Sequence, residues 1–169
     1  MLLYVVSAIL LTIAFLMFSM AMSHKSLLNG DVEQEMLRRL DALSPSAKGR
    51  WGRMSAAQML HHVAEALRMA TGDLRIPARS GPLRMFPLKQ LIVFILPFPK
   101  SAPTAPALLA RDEPHFESQR AAVRELLGAF PRRKIAAWPD HPAFGALNRD
   151  QWGVLAWKHI DHHFRQFGV

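Results

Sequence analysis

Apolar side chains recur every three or four positions in four separate stretches of this chain, with polar side chains between them. That spacing places the apolar residues of each stretch on one face of an α-helix. It predicts helices over about 32–43, 56–71, 114–130 and 149–166. No stretch alternates apolar and polar residues for long enough to predict a β-strand, and there is no internal repeat. The pattern therefore predicts an all-α protein built as a four-helix bundle.

The predicted helices carry start and stop signals of known chemistry. Three begin with a capping box, in which an N-cap side chain and a residue three positions later each bond the other's backbone amide. The pairs are Asp31 with Gln34, Ser55 with Gln58, and Asn148 with Gln151. The third helix opens at Asp112, with Pro114 just inside its start and Pro131 at its end. Gly72 and Gly168 follow the second and fourth helices as C-cap glycines.

A long connection separates the second and third helices. It covers 72–111, carries seven prolines and contains one apolar run over 91–98. A run of this length is too short to span a bilayer. We favour a short buried helix that caps the bundle over an interfacial segment that dips into a membrane, because short apolar runs are usually core.

An apolar segment without charged side chains precedes the bundle, over residues 1–22. A helix of this length would rise about 33 Å, enough to cross the core of a bilayer. The basic flank at Lys25 would place the rest of the chain on the cytoplasmic side of a single-pass anchor. Two alternatives stay open: translation that starts at Met20 or Met22, which would leave a soluble cytoplasmic protein, and a signal peptide. The predicted domains are thus the segment 1–22 and a helical domain over 27–169.

Composition narrows the chemistry. Half of the 169 residues are apolar and a fifth are charged, which excludes a disordered chain. There is no cysteine, so disulfides, cysteine zinc sites and thiol nucleophiles are excluded. Any transition metal must then be held by histidine and carboxylate side chains. The formal net charge of +8 favours anionic partners such as a membrane surface. No helix-turn-helix or RNA-binding signature predicts specific binding to nucleic acid.

Five of the eight histidines lie in two tight groups on the second and fourth predicted helices. His159 and His163 are one turn apart on the same face, with Cβ atoms about 6 Å apart, so both imidazoles can reach one metal ion. Trp152 and Leu155 lead into them at helical spacing, so this face should point to the core. His162 lies toward the edge of the helix, where it should be exposed or behind the ligands.

On the second helix, two neighbouring histidines fall on different faces. His61 aligns with the polar residues Glu65 and Arg68, whereas His62 aligns with Met59 and is the better candidate for a third inward imidazole. Three neutral imidazoles on two facing helices would leave open positions on a dication, which is typical of a catalytic rather than a structural metal site. On spacing alone, ordinary histidines that make hydrogen bonds in the core or at the surface are an equal alternative.

Three stretches resemble the DinB/YfiT-like superfamily of four-helix proteins, and within it a branch known mainly as an uncharacterised bacterial domain. The sequence MSAAQMLHHVAEAL at 54–67 is similar to the family's first metal-histidine helix. The sequence HPAFGALNRDQWGVLAWKHIDHHFRQFGV at 141–169 is similar to the branch's C-terminal signature, HPxFG…KHxDHHxRQFG. The sequence PKSAPTAP at 99–106 is similar to its Pro/Thr-rich connection. The resemblance covers the chain from about Leu27 to its end.

This resemblance implies a four-helix bundle with a three-histidine metal site at one end. The implied ligands are His62, His159 and His163, with Gln166 three residues beyond the last of them. Known members include metal-dependent transferases that use low-molecular-weight thiols, and a maleylpyruvate isomerase. Many members place Arg and Gly directly after the last histidine, where this chain has Phe and Arg at 164–165. The family's substrate contacts at that end of the helix therefore do not carry over.

Other side chains near this pattern have simpler expected roles. Gln166 lies on the side of His163 and could contact a ligand or its water. Asp161 should be a solvated surface residue on the opposite side of the helix. His141 should fix the loop that leads into the last helix rather than line the mouth of the site. The four tryptophans are expected to pack in the core or at its rim.

Three function hypotheses follow. In the first, the chain is a metal-dependent transferase or hydrolase, in which a divalent Zn, Ni or Fe ion activates a thiol or water for reaction with a small-molecule substrate. In the second, a non-catalytic basic helical module docks on a membrane or another anionic partner. The third is a purely structural bundle without a ligand. The sequence leaves association into a homodimer open.

Overall fold

The computed structural model describes residues 1–22, 24–100 and 104–169. Its helices are α1 (Leu2–Met22), α2 (Gly30–Ala42), α3 (Ala56–Thr71), α4 (Leu88–Gln90), α5 (Phe116–Ala129) and α6 (Arg149–Phe167). A π-helical turn continues α4 over Leu91–Ile95, and 3-10 turns cover Pro82–Arg84, Pro106–Leu108 and Phe130–Arg132. No β-strand occurs in these described ranges, so the predicted all-α fold is confirmed.

The two helices that carry the histidine groups begin and end as predicted. The Ser55 side chain accepts a hydrogen bond from the Gln58 amide at the start of α3, and Asn148 does the same for Gln151 at the start of α6. In both capping boxes the glutamine side chain bonds the N-cap amide in return. Left-handed glycines end the two helices: Gly72 with φ 84° and Gly168 with φ 83°. Local chemistry therefore sets the boundaries of α3 and α6.

The predicted start of the first bundle helix is wrong. Asp31 does not cap it, because α2 begins at Gly30, after Asn29, whose side chain makes no capping bond. The cause lies in tertiary packing rather than in local signals. Leu27 is fully buried, and its amide donates to the backbone oxygen of Gly153 in α6 at 3.0 Å. This buried contact with α6 fixes the chain just before α2, so the helix begins before Asp31.

The third predicted helix is also shorter than expected. α5 begins at Phe116 rather than at Asp112, because burial begins with the Phe116 ring. Glu113 lies outside the helix, where it accepts a hydrogen bond from Ser55 Oγ at the start of α3. At its other end the chain tightens into the 3-10 turn Phe130–Arg132, which contains the proline expected to close the helix.

The core lies between four long helices. α3 packs against α5 and α6, and α2 packs against the same two helices. The fully buried large side chains include Met36, Leu40, Met59, Leu60, Leu127, Trp152, Ile160 and Phe164. Burying a side chain of this size stabilises the fold by roughly 1.5–3 kcal/mol. This packing holds α3 against α6 and so brings the two histidine groups to one place.

The long connection lies against the helices that carry the histidines. The π-helical turn contacts α6, and Val93 within it is fully buried. The 3-10 turn Pro106–Leu108 contacts α3. The run 91–98 therefore lies against the bundle, but it is not the buried helix predicted, because within it only Val93 is buried and Leu96 is exposed. Residues 101–103 of the Pro/Thr-rich stretch lie outside the described residues.

The apolar segment at the N-terminus forms α1. Among the residues that the structure describes, no helix combines the length and the apolarity needed to cross a membrane. The single-pass anchor predicted over 1–22 therefore gains no support from the structure.

Candidate metal centre

The first inward imidazole comes from the middle of α3. His62 is almost fully buried there, between the fully buried Met59 and Val63. His61, one position earlier, is only partly buried. Of this adjacent pair, the buried member is thus His62, the one that helical periodicity predicted to face inward.

α6 supplies two further imidazoles, one turn apart. His163 is buried and His159 is partly buried, and their ring centroids are 4.8 Å apart. The position of α6 depends on a close approach at Gly153, where a Cβ would meet Leu28 Cγ at 2.7 Å. Glycine at that position lets α6 lie against the segment before α2, so a larger residue there would displace the helix that carries both rings.

The three side chains converge on one point. His62 Nε2 lies 2.9 Å from His159 Nε2. The candidate ligand atoms of His62, His159 and His163 all lie within 4.8 Å of one another. Nitrogen ligands of a tetrahedral zinc ion, each about 2.0–2.1 Å from the metal, are about 3.3 Å apart. Side-chain shifts of about 1 Å would bring the cluster to that geometry, so the residues fit a transition metal ion.

Hydrogen bonds at the far side of two rings determine which nitrogen faces the centre. His62 Nδ1 lies 3.2 Å from the backbone oxygen of Leu108, and His163 Nδ1 lies 2.8 Å from Gln166 Oε1. Both oxygens can only accept, so each Nδ1 carries the proton and each Nε2 keeps a free lone pair. This is the orientation in which metal-binding imidazoles are usually held.

The third ring is in a different state. Because His62 Nε2 has no proton, the 2.9 Å contact requires His159 Nε2–H to donate to it. His159 must carry this proton on Nδ1 instead before Nε2 can bind a cation. The proton on His159 therefore competes directly with a metal ion.

Gln166 links the centre to the loop before α3. Its Oε1 accepts from His163, and its Nε2 donates to the backbone oxygen of Trp51 at 2.6 Å. Because the Trp51 oxygen can only accept, a flipped amide would lose this bond, so Gln166 Oε1 stays turned toward His163. The loop approaches closely at Gly52, where φ is 78° and a Cβ would meet Gln166 Nε2 at 2.7 Å. Gln166 therefore lies beside His163, as expected, and its side chain accepts a hydrogen bond from the His163 ring itself.

Burial keeps these imidazoles neutral. It lowers the pKa of His62 to about 4, against a weaker opposing effect of the hydrogen bond to Leu108. Burial together with repulsion from His62 lowers the pKa of His163 to about 3. The pKa of His159 is also well below its usual range, because of burial and then of repulsion from the other two rings. All three are neutral near pH 7, which is the protonation state that a metal requires.

Two other expected roles can be checked in the surrounding residues. His141 Nδ1 accepts hydrogen bonds from the amides of Ala143 and Phe144, at 3.1 and 3.2 Å, so its role in fixing the loop before α6 is confirmed. Asp161 lies away from the ligands, as expected. It is not merely solvated, however, because it pairs with Arg39 at 2.7 Å.

Lys158 packs beside the cluster, although no sequence signal pointed to it. Its Nζ donates to the backbone oxygen of Ile92, and lies 3.4 Å from that of Val93. The ammonium also lies 5.1 Å from the centre of the Phe98 ring. The centres of the Phe98 and His159 rings are 6.2 Å apart. Partial burial lowers the pKa of Lys158 to about 8. Lys158 therefore holds the segment 91–98 against the side of the histidine cluster.

Replacing Lys158 by methionine should loosen this segment, because methionine keeps the apolar stem but cannot donate to the carbonyls of the π-helical turn. We expect the free energy of unfolding to fall by about 1–2 kcal/mol, with faster amide exchange over 91–98. Lys134→Met, at an exposed position, is the control. Equal exchange rates in both variants and in the unmodified protein would show that the ammonium does not hold the segment.

Replacing Gln166 by leucine should weaken metal binding without removing a ligand. Leucine cannot accept the His163 Nδ1 proton, so the ring loses the bond that aims Nε2 at the centre. Losses of this kind typically lower metal affinity by about 10–100-fold. Zinc affinity measured against a competing chelator checks this, with Gln119→Leu on α5 as the control. Unchanged affinity in Gln166→Leu would mean that the bond does not position the ring.

A cleft of about 510 Å³ opens beside His163. His162, His163 and Gln166 form one wall, and Trp51 and Arg53 belong to the loop before α3. His162 is half-buried, and the centre of its ring lies 5.5 Å from the centre of the Trp51 ring. This volume lies within the range of small-molecule sites, roughly 300–1,000 Å³. The cleft therefore gives a small molecule access to the wall that contains His163.

Fold and site together define an all-helical protein with a buried cluster of three neutral imidazoles. Residues 102–168 match the family described as "Protein of unknown function (DUF1569)". This match takes in α5 and α6, with two of the three histidines, and does not include α3. No curated protein and no solved structure matches the chain.

Proposed function

We propose that this chain binds one divalent transition metal ion through His62, His159 and His163. The observation that carries the proposal is the convergence of three imidazoles from two helices, all within 4.8 Å. The bonds from His62 to Leu108 and from His163 to Gln166 support it, because they leave the inward nitrogens unprotonated. Zinc, nickel and iron are the candidate ions, since imidazole suits all three.

We further propose that the site is catalytic, and that the chain is a metal-dependent transferase or hydrolase. Three protein ligands leave at least one position open, and the cleft beside His163 offers a route to it. A dication there, when bound, supplies Lewis acidity that lowers the pKa of a water or thiol toward neutrality. A low-molecular-weight thiol is the proposed co-substrate, by the resemblance to the DinB/YfiT-like superfamily. The pairing of α2 and α3 with α5 and α6 supports the four-helix bundle of that superfamily.

Metal loading tests the proposal. The chelator-treated protein is mixed with Zn²⁺, Ni²⁺ or Fe²⁺, with Mg²⁺ as a control that imidazole binds poorly. A specific site stabilises the fold by mass action, by about 2.7 kcal/mol at a free metal concentration 100 times Kd. We expect at least one transition metal to raise the melting temperature and about one such ion to be retained per chain. Mg²⁺ should leave the melting temperature unchanged. A protein that melts at the same temperature with all four ions and retains none would refute metal binding.

A further inference from the structure

The charge around the cleft beside His163 is one-sided. Arg53 is exposed, lines the cleft, and makes no ion pair or hydrogen bond within the described residues. Lys100 lies 4.9 Å from the centre of the Trp51 ring, which also lines the cleft. None of the described residues that line the cleft is an aspartate or glutamate. Glu113, which accepts a hydrogen bond from Ser55 Oγ, is not a lining residue. The cleft is therefore suited to an anion.

Part of the remaining lining is apolar. Trp51, Met54 and Leu109 are among the apolar lining residues, and Leu109 is 42% exposed although it is a large aliphatic side chain. A partly exposed aromatic ring and an exposed aliphatic side chain beside cationic side chains suit an amphipathic small molecule. A guanidinium also binds carboxylate and phosphate groups through two parallel hydrogen bonds.

We infer that the cleft binds a small amphipathic anion, whose carboxylate or phosphate group is held by Arg53 and Lys100 and whose apolar part lies on Trp51. The anion's role as a substrate of the His62, His159 and His163 site rests on the proposed function. Binding of the anion itself needs no metal. The two statements can therefore fail separately.

The loop before α3 connects this anion subsite to the ligands. Trp51 and Arg53 flank Gly52, which lies against the Gln166 side chain, and the Trp51 backbone oxygen accepts from Gln166 Nε2. Gln166 in turn accepts from His163 Nδ1. An anion that draws Arg53 into the cleft would thus act on the same loop that positions His163.

The test uses four simple probes that differ in their head group: hexanoate, hexyl phosphate, hexanamide and hexylamine. Binding is followed by calorimetry and tryptophan fluorescence in chelator-treated protein and again after zinc loading. We expect the two anions to bind at least about tenfold more tightly than hexanamide. Hexylamine should bind most weakly. A preference between hexanoate and hexyl phosphate identifies the head group. Equal affinities for hexanoate and hexanamide would overturn the inference.

Two variants assign the subsite. Arg53→Gln should weaken hexanoate binding by at least about tenfold while leaving hexanamide binding unchanged. Trp51→Leu should weaken both probes, because it removes shared apolar surface. Arg38→Gln, exposed on α2, removes the same charge elsewhere and is the control. Unchanged hexanoate binding in Arg53→Gln would refute the assignment. Hexanoate binding that persists in a His163→Ala protein without metal would support the anion subsite independently of the metal site.

Discussion

Replacing His62, His159 or His163 singly by alanine should lower metal affinity by more than the 10–100-fold typical of residues that only support a ligand. Each variant leaves two imidazoles, which cannot supply the three protein ligands of a typical open zinc site. Affinity is measured for each variant against a competing chelator. Cobalt substitution adds a spectroscopic check, because its absorption reports the number and geometry of the ligands.

The control for this series lies on the same helix. His162→Ala removes an imidazole next in sequence to His163, but that imidazole is half-buried and lies outside the convergent cluster. The His162→Ala protein should therefore bind metal with nearly the affinity of the unmodified protein. Circular dichroism and melting curves of the chelated variants show whether each remains folded. Normal metal binding by a folded His159→Ala protein would rule out His159 as a ligand.

Acid should destabilise the metal-free protein between pH 6.5 and about 4. In the folded state, burial lowers the pKa of His62 to about 4 and that of His163 to about 3. In the unfolded chain both should titrate near 6.5. Below pH 6.5 the unfolded chain therefore binds more protons than the folded one, and stability falls with pH until the folded pKa values are reached. Each such histidine can contribute about 1.4 kcal/mol per pH unit, so the loss from pH 7 to pH 5 should be several kcal/mol.

Urea unfolding at pH 7 and pH 5 in the presence of a chelator measures this loss. The double variant His62→Gln/His163→Gln should lose a substantial part of the dependence on pH, because two of the titrating imidazoles are gone. The residual slope would reflect the imidazoles that remain: His159, whose pKa burial also lowers, and His141, whose pKa burial lowers to about 4. Equal urea midpoints at the two pH values would contradict the neutral, buried state of the cluster.

Local rules were enough to predict the helices that carry the site. Ser55 and Asn148 each form the capping box that the spacing of one glutamine predicts, so α3 and α6 begin where expected. Once those starts are known, the helical period of 3.6 residues places His61 and His62 on different faces of α3. It places His159 and His163 on the same face of α6, one turn apart. This explains why the clustering of the three histidines could be predicted from spacing and helical faces.

Contacts between distant segments could not be predicted in the same way. The Asp31 capping box failed because the amide of Leu27 is bound to Gly153, more than a hundred residues away. The oxygen that orients His62 belongs to the backbone of Leu108, in a segment whose sequence has no signal for that role. Lys158 was missed for a similar reason, since its partners are carbonyls of the π-helical turn. Helical periodicity determines which face a residue occupies, but not which loop packs against that face.

The most direct test of the central claim is a crystal structure of the zinc-loaded protein, with data collected on both sides of the zinc absorption edge. We predict one strong anomalous peak, about 2.0–2.1 Å from Nε2 of His62, His159 and His163. The Nδ1 atoms of His62 and His163 should keep their bonds to Leu108 and Gln166. A peak at other histidines, or a structure in which one of the three rings points away from the ion, would contradict it.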